Sequence, residues 1–315
     1  MTTIGSSSLD VFPLALGGNT FGWTSDEDTS ISVLDAFAAS GGDFIDTADA
    51  YSAWVPGNSG GESETILGRW MTARGNRDEL VIGTKVSQHP EFPGLSAANI
   101  QAAASASLSR LGTDRIDLYW AHVDDRKTPL EETVAAFDAL VIAGTVRYIG
   151  LSNYTAARIT EWIEIATRTG AALPVALQPH YNLVHRKQYE AELAPVVEAN
   201  GLGVLPYYGL ASGFLTGKYR SSQDAEGKAR AGAVADYLTD EGFAVIAALD
   251  EIAAAHGTTV TTVGLAWLES RPGVVGPIAS ARTAEQLPEL MAAASVTLTT
   301  EELSRLDEVS ARVEG

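Results

Sequence analysis

Four side chains in this sequence could move a proton, and each stands at or just past the end of an apolar run. Asp46 follows Phe44 and Ile45 at once, and Tyr51 comes five residues later. Lys85 ends LVIGTK at 80–85, and His122 ends IDLYWAH at 116–122. Further polar groups close the later runs: Ser152 and Asn153 in YIGLSN, Gln178 in VALQP and Tyr207 in LGVLPYY. A tyrosine phenol titrates near pH ~10, too high for acid–base work at neutral pH. A nearby ammonium favours the phenolate, so Lys85 is predicted to lower the pKa of Tyr51. A carboxylate such as Asp46 would fix that lysine by a charge-assisted hydrogen bond. A histidine such as His122 can donate a hydrogen bond to a carbonyl oxygen. Together the four describe a site that protonates a carbonyl oxygen as hydride reaches the carbon. Singly they say little: a lone Asp caps a helix, a lone Tyr packs, a lone Lys is solvated, a lone His is structural. Their joint occurrence at successive run ends carries the reading. This chemistry needs no acyl nucleophile.

The elements that must position these groups are short apolar runs alternating with amphipathic stretches. The runs lie at 13–17, 43–46, 80–85, 116–122, 148–153, 175–179, 202–208 and 274–278. Each is rich in Val, Ile, Leu or aromatics, as a strand buried on both faces should be. Between them, helical spacing predicts helices over 30–40, 131–143, 156–168, 189–200 and 242–256. Another is predicted from a Ser96 N-cap to Gly112 at C′, and 266–270 closes one more before the last run. Eight strands alternating with helices predict an α/β fold, a (β/α)₈ TIM barrel formed as a single domain over 1–315. The opening TIGSSSLDVF predicts a β-hairpin plugging the barrel bottom. The polar Gly/Ala-rich stretch 218–239 is expected to be a lid or cofactor-clamp loop over the other end.

Composition narrows the function. The formal net charge of −19 argues against nucleic acid, and any phosphorylated ligand must find its cations locally. With no cysteine, disulfides and Cys-based zinc sites are excluded. The five histidines form no H-E-x-x-H, so no metal site is expected. There is no signal-peptide pattern and no run of 18 apolar residues, so the cytoplasm is the expected location and no membrane partner is expected.

In order along the chain stand LALGGNTFGW, DTADAYS, GESETILGRW, VIGTKV, SLSRLGTDRIDLYWAH, GTVRYIGLSNYTAARI, LQPHYNL, LPYYGLASGFLTGKY and ARTAEQL. That succession resembles the aldo-keto reductase family over nearly the whole length. The resemblance implies NAD(P)H-dependent interconversion of carbonyls and alcohols on a (β/α)₈ barrel. It implies Tyr51 as general acid/base, tuned by Lys85 and Asp46, with His122 orienting the carbonyl. Ser152, Asn153 and Gln178 match positions that hold the nicotinamide carboxamide, and Tyr207 matches the aromatic that stacks on the ring. Leu210, Ser212, Gly213 and Lys218 match the pyrophosphate loop, and Arg282 and Gln286 match the adenosine end. Gly18 and Asn19 in the first motif are assigned to the same cofactor site. Arg282 is the local cation a 2′-phosphate needs, which favours NADPH over NADH. Where related members usually read Tyr-Ser-Pro-Leu, this chain reads Tyr207-Tyr208-Gly209-Leu210, and Gly209 is expected to loosen that turn.

Trp23 and Trp54 are the expected substrate walls, with Trp120 a further candidate whose direction depends on strand alternation. Asp124 is expected either to bind substrate hydroxyls or to cap a helix. Other nicotinamide sites find no support, because neither G-x-G-x-x-G after a strand nor Y-x-x-x-K occurs. A non-enzymatic relative that binds cofactor as a regulatory subunit is the alternative from another class.

Overall fold

The computed structural model describes residues 1–227 and 231–313. Eight parallel strands follow one another around a ring: β1 (Ala15–Gly17), β2 (Phe44–Asp46), β3 (Val81–Val86), β4 (Ile116–Ala121), β5 (Val146–Ser152), β6 (Pro174–Gln178), β7 (Gly203–Val204) and β8 (Ile278–Ala279). β8 pairs with β1, Ile278 opposite Ala15. The other side closes through Val275 N–H to Val204 O at 2.9 Å and Ile278 N–H to Pro206 O at 2.9 Å. The result is the expected (β/α)₈ barrel. Thr2–Thr3 and Asp10–Val11 pair antiparallel as the N-terminal hairpin.

Helices alternate with the strands, and their ends show why they start and stop. α1 (Glu27–Ala39) begins at Asp26, whose carboxylate accepts Thr29 N–H at 2.9 Å. α2 (Glu62–Arg74) ends at left-handed Gly75, and helical spacing does not predict it. Its polar, glycine-bearing stretch GESETILGRW gives a weak apolar stripe. α3 (Ala97–Leu111) stops at Gly112 with φ 62°, as expected, but the Ser96 hydroxyl makes no cap. Glu132, reaching from α4 (Leu130–Ile142), accepts the Ala97 N–H at 2.9 Å in its place. α5 (Ala156–Thr169) follows prediction. The predicted 189–200 helix opens instead as a π-turn, Tyr189–Leu193, before α6 (Ala194–Asn200), with Pro195 in its first turn. α7 (Asp240–His256) and α8 (Val260–Glu269) follow, and 266–270 closes α8 as expected. α9 (Thr300–Ser310) carries a capping box from Thr299 and Glu302, a signal the sequence reading passed over. No single described helix is long and apolar enough to cross a membrane.

Side chains alternate across each strand, so residues two apart share a face. Outward residues such as Ile45, Ile82, Tyr119 and Leu151 pack under the helices. Inward residues Phe44, Val81, Leu118 and Trp120 pack on Ile4, Leu9 and Val11 of the hairpin. The lower barrel is therefore solid, and only the carboxyl ends of the strands stay open. Trp120 fits because two neighbours lack a side chain. A Cβ on Gly150 would stand 2.2 Å from its Cε3, and one on Gly83 would stand 3.1 Å from its Nε1.

That fit makes a prediction. Gly150→Ala should cost about 1–3 kcal/mol of stability, the range for overpacking. Urea unfolding measures it, and the added change Trp120→Phe should recover part of the loss because the two sites touch. Full stability of the single variant would show that Trp120 is not confined.

Candidate active site

Inward files that are apolar at the bottom end in polar residues at the mouth. Phe44 gives way to Asp46, Val81 and Gly83 to Lys85, Leu118 and Trp120 to His122, Gly150 to Ser152, and Ala176 to Gln178. Lys85 is fully buried, and its ammonium has three acceptors or partners. It donates to the Asp46 carboxylate, to Thr47 O at 2.7 Å and to the Tyr51 hydroxyl at 3.1 Å. Gln178 Nε2 donates to the second Asp46 oxygen at 3.1 Å. The Tyr51 ring lies 6.3 Å from the His122 ring, centroid to centroid. Asp46, Tyr51, Lys85 and His122 thus meet at one point, as their run-end positions predicted.

The protonation states follow from burial and neighbours. Burial acts most strongly on Lys85 and would lower its pKa, but Asp46 and Tyr51 together raise it, so the ammonium persists. Burial raises Asp46 against the opposing pull of Lys85 and Gln178. Tyr51 departs from expectation. Burial dominates and raises its pKa, with Lys85 offsetting only part, so the protein as it stands keeps the phenol protonated. His122 is lowered to about 3, first by burial and then by the Lys85 charge. The ring is neutral at physiological pH, and its buried Nδ1 has no partner within the protein.

These groups open onto a cavity of about 870 Å³ that runs from Trp23 and Trp54 at one end to Arg282 and Leu290 at the other. Trp23 and Trp54 meet edge to face at 5.5 Å on the side of Tyr51. Gln88, Ala53 and Tyr208 complete that end. The long arm is lined by Asn19, Ser152, Asn153, Gln178, Tyr207, Leu210, Ser212, Gly213, Lys218, Arg282 and Gln286. Ser152 Oγ donates to Gln178 O at 3.0 Å, and Asn153 Nδ2 donates to His122 O at 2.9 Å. Tyr207, pushed up to about 12 mainly by burial, keeps its proton and donates to Asn153 Oδ1 at 2.8 Å. At the far end the Arg282 N–H donates to Gln286 Oε1 at 2.8 Å, and Ser280 Oγ bonds Asn19 Oδ1 at 2.6 Å.

Backbone strain gathers here. The described non-glycine residues with positive φ are Ser52, Ser87, Asn153, Tyr208, Ala211 and Ser212, all in loops at the carboxyl ends of strands. Ala211, Ser212 and Gly213 are left-handed in succession, with φ of 47°, 57° and 95°. Within this run the Ala211 N–H donates to Tyr208 O at 2.7 Å and the Gly213 N–H to Leu210 O at 2.8 Å. A Cβ on Gly213 would stand 2.6 Å from Lys218 Nζ, so the glycine leaves room for the ammonium. Gly209 does not loosen its turn: it is buried, and a Cβ there would stand 3.1 Å from Leu268 Cδ1. Tyr208 takes the left-handed conformation in its place.

Three expected contacts fall elsewhere. Trp120 shares the parity of His122 and points inward, but it is fully buried beneath the mouth and does not line the cavity. Asp124 is engaged by Arg158 at 2.8 Å and Arg126 at 2.9 Å, outside the cavity wall. Gly18 is buried, its carbonyl accepting from Ser63 Oγ at 2.8 Å, while its neighbours Gly17 and Asn19 line the cavity. Conversely, sequence reasoning missed Thr20, Gln88 and Glu289, which do line it. Glu289 stands three residues past Gln286, a helical step that could have flagged it. Lys228–Arg230 of the expected lid lie outside the described residues. Beside them, Lys218 and Ala233 line the cavity, and Tyr237 packs on Phe214 at 5.8 Å. Among the described residues no group of three or more His, Asp or Glu could hold a metal ion.

The model of the aldo/keto reductase family matches residues 13–311, and the chain belongs to that family. Its relatives include a probable voltage-gated potassium channel subunit beta of rice (Oryza sativa subsp. japonica), 33% identical over 97% of this chain and 95% of that protein. The uncharacterized oxidoreductase YrpG of Bacillus subtilis is 33% identical, covering 98% of this chain and 95% of its own. A norsolorinic acid reductase of Aspergillus flavus is 30% identical, over 96% and 79%.

His122 supplies the prediction. Its folded pKa of about 3 lies below the ordinary 6.5, so between these values the unfolded chain binds the extra proton. Its contribution to stability is therefore present above pH ~6.5 and is lost as pH falls toward 3. Its imidazole NMR shifts should stay those of a neutral ring from pH 8 to 5. A titration midpoint near 6.5 would contradict the burial argument.

Proposed function

We propose that the protein is an NADPH-dependent reductase that interconverts an aldehyde or ketone with its alcohol, with Tyr51 as general acid and base. The observation that carries this reading is the Tyr51 hydroxyl 3.1 Å from the buried Lys85 ammonium. When bound, the nicotinamide supplies or accepts the hydride. The chain's own residues handle the proton. Tyr51, kept protonated by burial, holds a proton ready for a carbonyl oxygen. Lys85 stabilises the phenolate left behind, and Asp46 holds Lys85 in place. Neutral His122 is suited to donate an N–H to the same oxygen. In the oxidising direction the same groups take the proton back.

The long arm fits a dinucleotide. Gln178 spends its amide N–H on Asp46 and so presents Oε1, while Asn153 and Ser152 flank it, a set suited to a carboxamide. Tyr207 offers a ring face, the Ser212 hydroxyl with the Lys218 ammonium suits a diphosphate, and Arg282 suits a 2′-phosphate. Asn19 and Gln286 complete the adenosine end. In this reading 1–315 is one reductase domain, and 218–239 is a clamp over the cofactor arm. Trp23 and Trp54 are the walls that meet the carbonyl compound. The second reading, a cofactor-binding or regulatory subunit with little turnover, rests on relatives in rice and Arabidopsis named as probable channel subunits. The complete proton-handling cluster favours turnover.

Absorbance of the reduced nicotinamide, followed with a panel of aldehydes and ketones, separates the two readings. Tight NADPH binding with no consumption by any carbonyl would establish the second. Tyr51→Phe should lower kcat by about 10²–10⁴-fold, the usual contribution of proton transfer, while NADPH still binds. Wild-type turnover in that variant would remove Tyr51 from its role. Arg282→Ala should raise the Kd for NADPH more than that for NADH, and equal effects would refute the 2′-phosphate contact.

A further inference from the structure

Next to Tyr207, two imidazoles stack. The His180 and His185 rings lie 3.8 Å apart at an angle of 9°. His180 in turn stacks on Tyr207 at 5.4 Å and 21°, and meets the Tyr208 ring edge to face at 5.3 Å. The three nearly parallel rings form a column, His185–His180–Tyr207, whose last member lines the cavity. A tight turn makes the column possible. His185 N–H donates to Asn182 O at 3.0 Å, which folds His185 back over His180. Asn182 Nδ2 donates to Tyr208 O at 2.9 Å and lies 3.4 Å from His180 Nε2. Tyr207 N–H donates to Pro179 O at 3.0 Å, tying the two loops together beside the rings.

We propose that His180 and His185 are positioning residues that fix the plane of Tyr207, and through it the grip on the nicotinamide ring. The inference rests on the cofactor reading above. Tyr207 has one polar anchor, its hydroxyl on Asn153, and that bond alone leaves the ring free to tilt about its long axis. A flat partner behind it removes the tilt. His180 supplies that face, and His185 stops His180 from moving away. The column works with both rings neutral, since two imidazolium ions in face contact would repel at this separation. Its surroundings keep them so. Burial lowers His185, and burial followed by the neighbouring His185 lowers His180 to about 4. A Tyr207 held in one plane reaches the cofactor without a conformational cost at binding. The column touches none of Asp46, Lys85 or Tyr51, so its effect belongs in cofactor affinity rather than in proton transfer.

The test uses the full-length protein with NADPH and NADH as probes. His185→Ala should raise the Kd for both dinucleotides about tenfold, and should raise the KM for cofactor while kcat changes less than twofold. His185→Phe keeps a flat ring and should recover most of the lost affinity. Recovery separates ring support from general damage to the fold, and unfolding curves taken on both variants check that they are folded. A His185→Ala protein that binds both dinucleotides like wild type overturns this inference alone. A kcat loss as large as the KM change, or no rescue by Phe, also overturns it. Failure of the wild-type protein to bind either dinucleotide overturns the cofactor reading and this inference with it.

Discussion

A fully buried ammonium governs this structure. Lys85 sits at the bottom of the mouth with its N–H groups committed to Asp46, Thr47 and Tyr51. Burying an unpaired charge there would cost several kcal/mol, so the lysine requires all of these partners. They come from β2 and the loop after it, which must therefore sit in fixed register with β3. The pairing of Asp46 with Gly83 and the reach of Gln178 to Asp46 hold that register from both sides. The barrel is thus the frame that lets a buried charge sit beside a phenol.

The same burial acts on Tyr51 and His122, and it acts in opposite senses. It lifts the Tyr51 phenol and keeps its proton on. It depresses His122 and keeps a proton off. A protonated phenol and a neutral imidazole result from one cause, with the Lys85 charge adjusting both.

Much of this was legible in the sequence because strand parity is rigid. Once eight apolar runs are counted, the residues at their ends must converge, and Asp46, Lys85, His122, Ser152 and Gln178 do. Tyr51 lies off its strand and was found by chemistry rather than by period. What could not be read depends on distances between distant segments. The relative strength of burial and of Lys85 at Tyr51 is such a case. So is the capture of Asp124 by Arg158 and Arg126, which look like ordinary surface charges in the sequence. Trp120 shows the limit of parity, which gives a side chain's direction but not its depth. α2 escaped because its inner face carries Ser63, Glu64 and Gly68 among its apolar residues, and Glu64 is used to bind Thr84 and Arg110.

The filled lower barrel has a consequence for diversification. Trp120, seated between Gly83 and Gly150 above the hairpin plug, backs the mouth from beneath with a layer that leaves no room for a larger side chain. Room in the cavity is therefore open to change at its rim, where Trp23, Trp54 and Tyr208 stand, and not at its depth.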